Sequence, residues 1–116
     1  MFRYKEENSF AKRSAEAKKI LNKWTDRIPV IMEKSLSSRL LDLPNNKLLC
    51  PSDYSVQQFV GSIRKKVSAL RNVAMFMFIN GRDLVVGDSL MKEIYEQKKD
   101  EDGFLYLLFS DQEAMG

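Results

Sequence analysis

Apolar residues fall into unbroken runs and helical stripes that predict a small domain of helices and strands. Residues 104–109 form an apolar run near the C-terminal end, without alternation of apolar and polar positions. A strand with one face in water would alternate, so this run predicts a central strand covered on both faces. Clusters of β-branched and large apolar residues predict three further strands, at Arg27–Lys34, Lys47–Pro51 and 75–79.

Two helical stripes predict the layers that cover this sheet. The first predicts an amphipathic helix whose apolar face packs into the core, and its members are Phe10, Ala17, Leu21 and Trp24, with Ile20 beside them. We expect the tryptophan of this set to serve core packing. The second stripe follows a capping box at Ser55 and Gln58, which predicts a crossover helix after the second strand. A last helix is predicted to end near Glu96.

The order of these elements is helix, strand, strand, helix, strand, helix, strand. A hairpin followed by a crossover helix and further strands is the β-grasp arrangement of ubiquitin-like domains, with the first and last strands adjacent and parallel. We therefore predict an α+β fold, with a four-stranded mixed sheet and two extra N-terminal helices. One domain is expected over 1–116, comprising an N-terminal helical subdomain (1–25), a β-grasp core (26–110) and a flexible C-terminal tail (111–116).

Composition excludes several classes of function. No apolar run approaches the ~18 residues of a membrane span, and charges throughout the N-terminal stretch differ from a signal peptide, which predicts a soluble intracellular protein. The chain has no histidine and one cysteine, Cys50. A Ser-His-Asp or Cys-His site cannot be built from these residues, and a zinc site is not expected. We therefore expect no enzyme activity, no bound metal and no cofactor.

Charge is distributed unevenly along the chain. Residues 1–39 carry ten Lys/Arg against five Asp/Glu, whereas residues 100–116 carry five Asp/Glu and no Lys/Arg. The basic part is either a set of solvated helix faces, which is the commoner case, or a surface for acidic partners or anionic lipid. Aromatic residues do not interleave with the basic ones as single-strand binding requires, so no nucleic acid is expected as a partner.

The strand Lys47–Pro51 is the best candidate for a binding edge. It precedes a long crossover, which favours a position at the edge of the sheet, where a partner peptide can add as another strand. Beside it, Ile31, Leu49 and Phe104 either line an apolar slot or belong to the core. Periodicity alone does not separate these two interpretations.

Five features of the sequence resemble one known family. They are Phe10-Ala-Lys-Arg13, Arg27-Ile-Pro-Val-Ile-Met-Glu-Lys34, Phe59-Val-Gly-Ser-Ile-Arg-Lys-Lys66, Asp102-Gly-Phe-Leu-Tyr106 and the terminal Gly116. The chain resembles the autophagy-related protein eight family, ubiquitin-like modifiers that include GABARAP and microtubule-associated protein light chain three. The resemblance covers nearly the whole chain, and it is specific because these segments occur together in the family's order.

The resemblance implies a protein conjugated through Gly116 to phosphatidylethanolamine by E1-like, E2-like and E3-like enzymes, with a cysteine protease for processing and delipidation. It implies a cytoplasmic protein that lies on the autophagosome membrane when lipidated, with microtubules as a further partner. The sequence leaves open whether Gly116 is the encoded end or is exposed by processing. The alternative is a ubiquitin-like binding module that is never lipidated and acts on the cytoskeleton or other proteins.

Receptors of this family carry an aromatic-x-x-aliphatic motif, which adds as a strand and fills two pockets. By resemblance, the aromatic pocket comprises Glu16, Ile20, Pro29, Ile31, Lys47, Leu49 and Phe104. The aliphatic pocket comprises Leu48, Cys50, Pro51, Tyr54, Phe59 and Ser62, and Arg27 and Arg64 would meet acidic residues that flank the motif. Ser62 stands where the family usually has an apolar residue, which predicts a smaller and more polar aliphatic pocket.

Overall fold

A mixed five-stranded sheet forms the centre of the structure, a computed structural model that describes residues 2–85 and 87–112. The strands are β1 (Arg27–Lys34), β2 (Lys47–Pro51), β3 (Phe76–Ile79), β4 (Asp83–Leu84) and β5 (Leu105–Ser110), in the spatial order β2-β1-β5-β3-β4. β1 and β5 are parallel, and the other neighbouring pairs are antiparallel. This arrangement confirms the predicted β-grasp sheet.

The predicted number of strands, four, is wrong by one within the part of the chain that the structure describes. The additional strand is β4, which pairs its two residues with the end of β3. Asn80 and Gly81 both have positive φ, 53° and 74°. Positive φ at two successive residues is typical of the tight turns that reverse a chain into a hairpin, so this turn returns the chain alongside β3.

Helices cover both faces of the sheet. They are α1 (Arg3–Glu7), α2 (Phe10–Lys23), α3 (Val56–Lys66) and α4 (Met91–Lys98), with a 3₁₀ turn at Ser68–Leu70. The capping box predicted at the start of α3 is confirmed, because Ser55 accepts from the backbone N–H of Gln58 while the Gln58 side chain accepts from the Ser55 N–H. None of the described helices is both long and apolar enough to cross a membrane.

Alternate residues of β5 belong to two hydrophobic clusters, one on each face of the sheet. Leu105, Leu107 and Phe109 join the larger cluster, which includes the apolar face of α3. Tyr106 and the preceding Phe104 join a smaller cluster with N-terminal residues. Because neighbouring strand residues point to opposite faces, β5 is covered on both sides, as its unbroken apolar run predicted.

The prediction that the apolar stripe of α2 packs into the core is wrong for most of that stripe. Only Ala17 is buried, whereas the exposed members are Phe10, Leu21 and Trp24. The reason lies in the segment before α2. Phe2 packs edge-on against Tyr106 with ring centroids 5.0 Å apart, and Tyr4 packs against Phe104 at 5.4 Å. These rings fill much of the space over the sheet, so the apolar residues of α2 that pack there are Ala17 and the partly buried Ile20.

A buried hydrogen-bond network ties α2 to the start of β5. The Asp102 side chain, with no exposed surface, accepts from Arg13 Nε at 2.9 Å, from the Phe104 N–H at 2.8 Å and from the Tyr106 hydroxyl at 2.5 Å. Burial, together with the hydrogen bond to Asp102, raises the pKa of Tyr106, so this hydroxyl stays a neutral donor. The network therefore holds the N-terminal helices on the β-grasp core.

Candidate functional site

The outer edge of β2 is the first part of the candidate site. Just beyond β2, the N–H of Met32 donates to the carbonyl of Asn46 at 2.8 Å, and the N–H of Ser52 donates to the carbonyl of Asp26 at 3.0 Å. Hydrogen-bonded and non-hydrogen-bonded pairs alternate along an antiparallel ladder. The even-numbered residues of β2 therefore bond to β1, and its odd-numbered residues direct their backbone groups to the free edge.

Leu49 is the residue of β2 that offers both backbone groups to an incoming strand. It lies opposite Pro29 in the ladder, at a non-hydrogen-bonded position. The neighbouring outward N–H, that of Lys47, already donates to the Asn45 side chain at 3.1 Å. Pro51 has no N–H to offer. A peptide adding to this edge would thus form its central pair of backbone hydrogen bonds with Leu49.

A hollow of about 270 Å³ lies between α2 and the edge of β2. It is lined by Glu16, Lys19, Ile20, Lys23, Trp24, Lys47 and Leu49. Four of the seven residues predicted for the aromatic pocket are in this set, namely Glu16, Ile20, Lys47 and Leu49. The predicted set does not include Lys19, Lys23 and Trp24, which also line the hollow. These residues share one helical face with Glu16 and Ile20, at spacings of three and four residues.

The other three predicted residues of the aromatic pocket, Pro29, Ile31 and Phe104, are fully buried. Ile20 lines the hollow and also packs against the cluster that contains Ile31 and Phe104. Of the two interpretations of the apolar slot, the structure therefore supports the core for some of its residues and the surface for another. Ile31 and Phe104 belong to the core behind the hollow, whereas Leu49 belongs to its surface.

An ion pair joins the two walls of the hollow. Lys47 Nζ on β2 lies 3.1 Å from Glu16 Oε2 on α2. The Lys47 hydrogen bond lowers the pKa of Glu16, with a further contribution from the Lys47 charge. Lys19 and Lys23 add positive charge to the lining. The hollow thus combines an apolar floor with a basic rim, which suits an aromatic side chain flanked by acidic residues.

A second hollow, of about 420 Å³, lies beside α3 and is lined by Tyr54, Gln58, Gly61, Ser62, Lys65 and Lys66. Tyr54 and Ser62 are the predicted aliphatic-pocket residues that line it. The others lie elsewhere, since Cys50 and Phe59 are buried in the core and Leu48 and Pro51 are half-buried in β2. The Ser62 hydroxyl donates to the Phe59 carbonyl at 2.7 Å, so its polarity is satisfied within the helix.

The two predicted flanking arginines differ in their surroundings. Arg27 is half-exposed and pairs with Asp26 at 3.0 Å. Arg64 Nη1 donates to the carbonyls of Leu70 and Val73 at 2.5 and 2.7 Å, which ties the segment after α3 to the helix. Arg64 also lines a third hollow, of about 610 Å³, between α3 and the β3–β4 hairpin. A role for either arginine toward acidic motif flanks stays a prediction.

Cys50 is a core thiol rather than a reactive one. Its side chain has no exposed surface, and burial raises its pKa from 9.0 to about 12. Because the thiolate is the reacting species, we expect native Cys50 to be alkylated about a thousandfold more slowly than in the urea-unfolded chain near pH 8. Time-resolved mass spectrometry with iodoacetamide measures both rates. Similar rates in the two states would show that solvent reaches the thiol in the native fold.

The predicted conjugation residue, Gly116, lies outside the described residues, as does most of the predicted tail. At the start of that tail, which we predict to be flexible, the structure shows three contacts. The Asp111 N–H donates to Ser38 Oγ at 3.3 Å, and Arg39 Nε lies 3.4 Å from Asp111 Oδ2. The Gln112 N–H donates to Ser110 Oγ at 3.1 Å. Contacts with the segment after β1 therefore continue to Asp111.

The β-grasp sheet, with helices on both faces and an open edge at β2, defines a ubiquitin-like protein. Residues 12–116 match the family described as "Autophagy protein Atg8 ubiquitin like". The chain therefore belongs to the Atg8 family of ubiquitin-like autophagy proteins, as its sequence motifs indicated.

Individual relatives cover nearly the whole chain. Autophagy-related protein 8 of Pichia angusta is 47% identical over 113 residues, which are 97% of this chain and 90% of the relative. Autophagy-related protein 8e of Arabidopsis thaliana is 44% identical, covering 97% of this chain and 92% of the relative. The crystal structure of Trypanosoma brucei ATG8 superposes with a TM-score of 0.89 at 37% identity, covering 95% of this chain and 94% of that one.

Proposed function

We propose that this chain is a conjugated modifier of autophagy, which recruits receptors with aromatic-x-x-aliphatic motifs to the membrane on which it is anchored. The observation that carries the proposal is the open edge at Leu49 beside the apolar hollow, in a chain of the Atg8 family with a terminal glycine. In this proposal the protein is cytoplasmic until it is attached to phosphatidylethanolamine of the autophagosomal membrane.

The proposed conjugation proceeds through the Gly116 carboxylate. An E1-like enzyme would adenylate it with ATP, releasing pyrophosphate, and an enzyme thiol would then displace AMP to form a thioester. The lipid amine would attack the thioester carbonyl on an E2-like enzyme, assisted by an E3-like complex, so that an amide forms and the thiol leaves. Glycine suits these steps because it has no β-carbon to obstruct a narrow channel and because it adopts backbone angles closed to other residues.

The proposed receptor contact uses two features of β2. The backbone of the motif adds as a strand at Leu49, and its aromatic side chain enters the hollow lined by Ile20 and Leu49. The aliphatic side chain lies toward the second hollow, at Tyr54 and Ser62. Lysines of the first hollow attract acidic residues around the motif, an attraction that falls with increasing salt.

Mass spectrometry of the chain recovered from starved cells tests the proposed conjugation. We expect a phosphatidylethanolamine adduct on Gly116 that increases during starvation. A chain that stays unmodified while it still binds receptor peptides would instead be the non-lipidated binding module.

The groove prediction concerns Leu49, which is 40% exposed. Leu49→Arg should weaken binding of an aromatic-x-x-aliphatic peptide at least about tenfold, because it removes apolar surface and places a charge against the docked ring. Isothermal titration calorimetry measures the affinity. Leu84→Arg is a matched control, since Leu84 is 46% exposed on the opposite edge strand.

Ile31 is also a predicted residue of the aromatic pocket, but a charge at Ile31 is unsuitable for testing peptide binding. Ile31 has no exposed surface, so Ile31→Asp would act on folding rather than on binding alone.

Equal affinity losses for Leu49→Arg and Leu84→Arg, or no loss for either, would place the peptide away from β2.

A further inference from the structure

Two leucines between β1 and β2 are more exposed than the other large apolar side chains in the part of the chain that the structure describes. Leu36 is 91% exposed and Leu41 is 70% exposed, whereas the other exposed large apolar residues lie between 37% and 49%. Single apolar side chains are common on protein surfaces, so exposure alone assigns no role. The position of these leucines in the fold provides a second observation.

The leucine loop, residues 35–46, begins where the C-terminal tail leaves the sheet. β1 and β5 are parallel neighbours, so both end at the same side of the sheet. The N–H of Ser35 donates to the Phe109 carbonyl at 2.8 Å, and Ser38 Oγ accepts from the Asp111 N–H at 3.3 Å. The loop therefore lies directly against the first residue after β5.

The chain between this contact and the proposed lipid is short. Gly116 is five residues beyond Asp111, and five fully extended residues span at most about 18 Å. A lipid attached to Gly116 would hold the root of the leucine loop within this distance of the bilayer surface. Apolar side chains held there gain free energy by entering the boundary between headgroups and acyl chains.

The charge of the loop is compatible with such a surface. Arg39 lies between the two leucines in sequence, and its side chain is almost fully exposed despite its 3.4 Å contact with Asp111. An exposed guanidinium can bind lipid phosphates. Asp42, the acidic residue of the loop, is already paired with Arg3 at 2.6 Å.

We propose that Leu36 and Leu41 insert into the bilayer interface when the chain is anchored at Gly116, so that the leucine loop sets which end of the domain faces the membrane. This inference rests on the proposed function. Its consequence concerns receptor access. Trp24 precedes the start of β1, at the opposite end from the leucine loop, so the Trp24 end of the hollow would lie away from the membrane, whereas Lys47 of the same hollow follows directly on the loop.

Depth-dependent fluorescence quenching tests this orientation without the conjugating enzymes. A Gly116→Cys variant is coupled to vesicles of phosphatidylcholine and phosphatidylethanolamine that contain a maleimide-bearing lipid. Cys50 is fully buried, so the coupling is directed to the C-terminal thiol. The same vesicles are prepared with and without doxyl-labelled acyl chains, which quench tryptophan at the depth of the label.

Single-tryptophan variants report on the two ends of the domain. Because Trp24 is the one tryptophan of the sequence, Trp24→Phe supplies a background for Leu36→Trp and for Leu41→Trp. The matched control is Leu21→Trp, since Leu21 is partly exposed beside Gly103, at the other end of β5. We expect blue-shifted emission and several-fold stronger quenching for the two loop variants than for the control.

The outcomes separate this inference from the proposed function. Equal quenching at the loop and control positions, or no quenching at the loop, would overturn the insertion even if Gly116 is lipidated in cells. Stronger quenching at the loop supports the insertion as a property of the anchored chain. If Gly116 then proves unmodified in cells, the proposed conjugation fails on its own evidence, whereas the preferred orientation of the anchored chain stands.

Discussion

Deletion of Gly116 should abolish the membrane-bound form of the protein while leaving its free energy of unfolding and its affinity for receptor peptides unchanged. Conjugation needs a terminal carboxylate that can be adenylated, transferred to a thiol and attacked by a lipid amine. After the deletion the last residue is Met115, whose side chain would obstruct each of these steps. The described contacts of the fold reach Gln112, so this change lies beyond them.

Membrane flotation from starved cells measures this loss, with urea unfolding and calorimetry as measures of folding and peptide binding. A Glu113→Ala variant is a suitable control, because it alters the same short segment but keeps Gly116. Flotation of the deleted chain at the level of this control would refute conjugation through Gly116. A loss of peptide affinity on deletion would show that the tail contributes to the groove.

Asp102→Ala should lower the free energy of unfolding by about 3–5 kcal/mol, the usual cost of removing one partner of a buried ion pair. The substitution leaves a mostly buried Arg13 guanidinium without its carboxylate and removes the acceptor of the Phe104 N–H and the Tyr106 hydroxyl. Urea unfolding at neutral pH measures the change in the free energy of unfolding. An unchanged slope of this free energy against urea concentration would indicate that unfolding stays two-state.

Arg39→Ala is the control for charge alone. Arg39 is almost fully exposed in its pair with Asp111, and exposed pairs add little to the free energy of unfolding. A loss for Asp102→Ala no larger than that for Arg39→Ala would mean that the buried network does not hold the N-terminal helices. Asp102→Asn tests the hydrogen bonds, because an amide can still accept from the Phe104 N–H while it lacks the charge that pairs with Arg13.

More of the fold than of the site can be predicted from the sequence. The unbroken apolar run of β5, the capping box of α3 and the order of elements are local signals, and each corresponds to an observed element. β4 has no signal in the sequence, because two exposed residues carry no periodicity and only their pairing with β3 makes them a strand. The exposure of the α2 stripe differs from the prediction because Phe2 and Tyr4, far from β5 in sequence, occupy the space over it.

The β-grasp topology and the family can be predicted from the sequence alone, because strand burial, helix capping and family motifs depend on residues that are close together in the chain. Which of the predicted pocket residues reach the surface depends on the tertiary structure. Ile31 and Leu49 are both apolar residues of adjacent strands, yet one is fully buried and the other is at the surface. Exposure depends on which residues from distant parts of the chain pack against each side chain, and periodicity does not encode that packing.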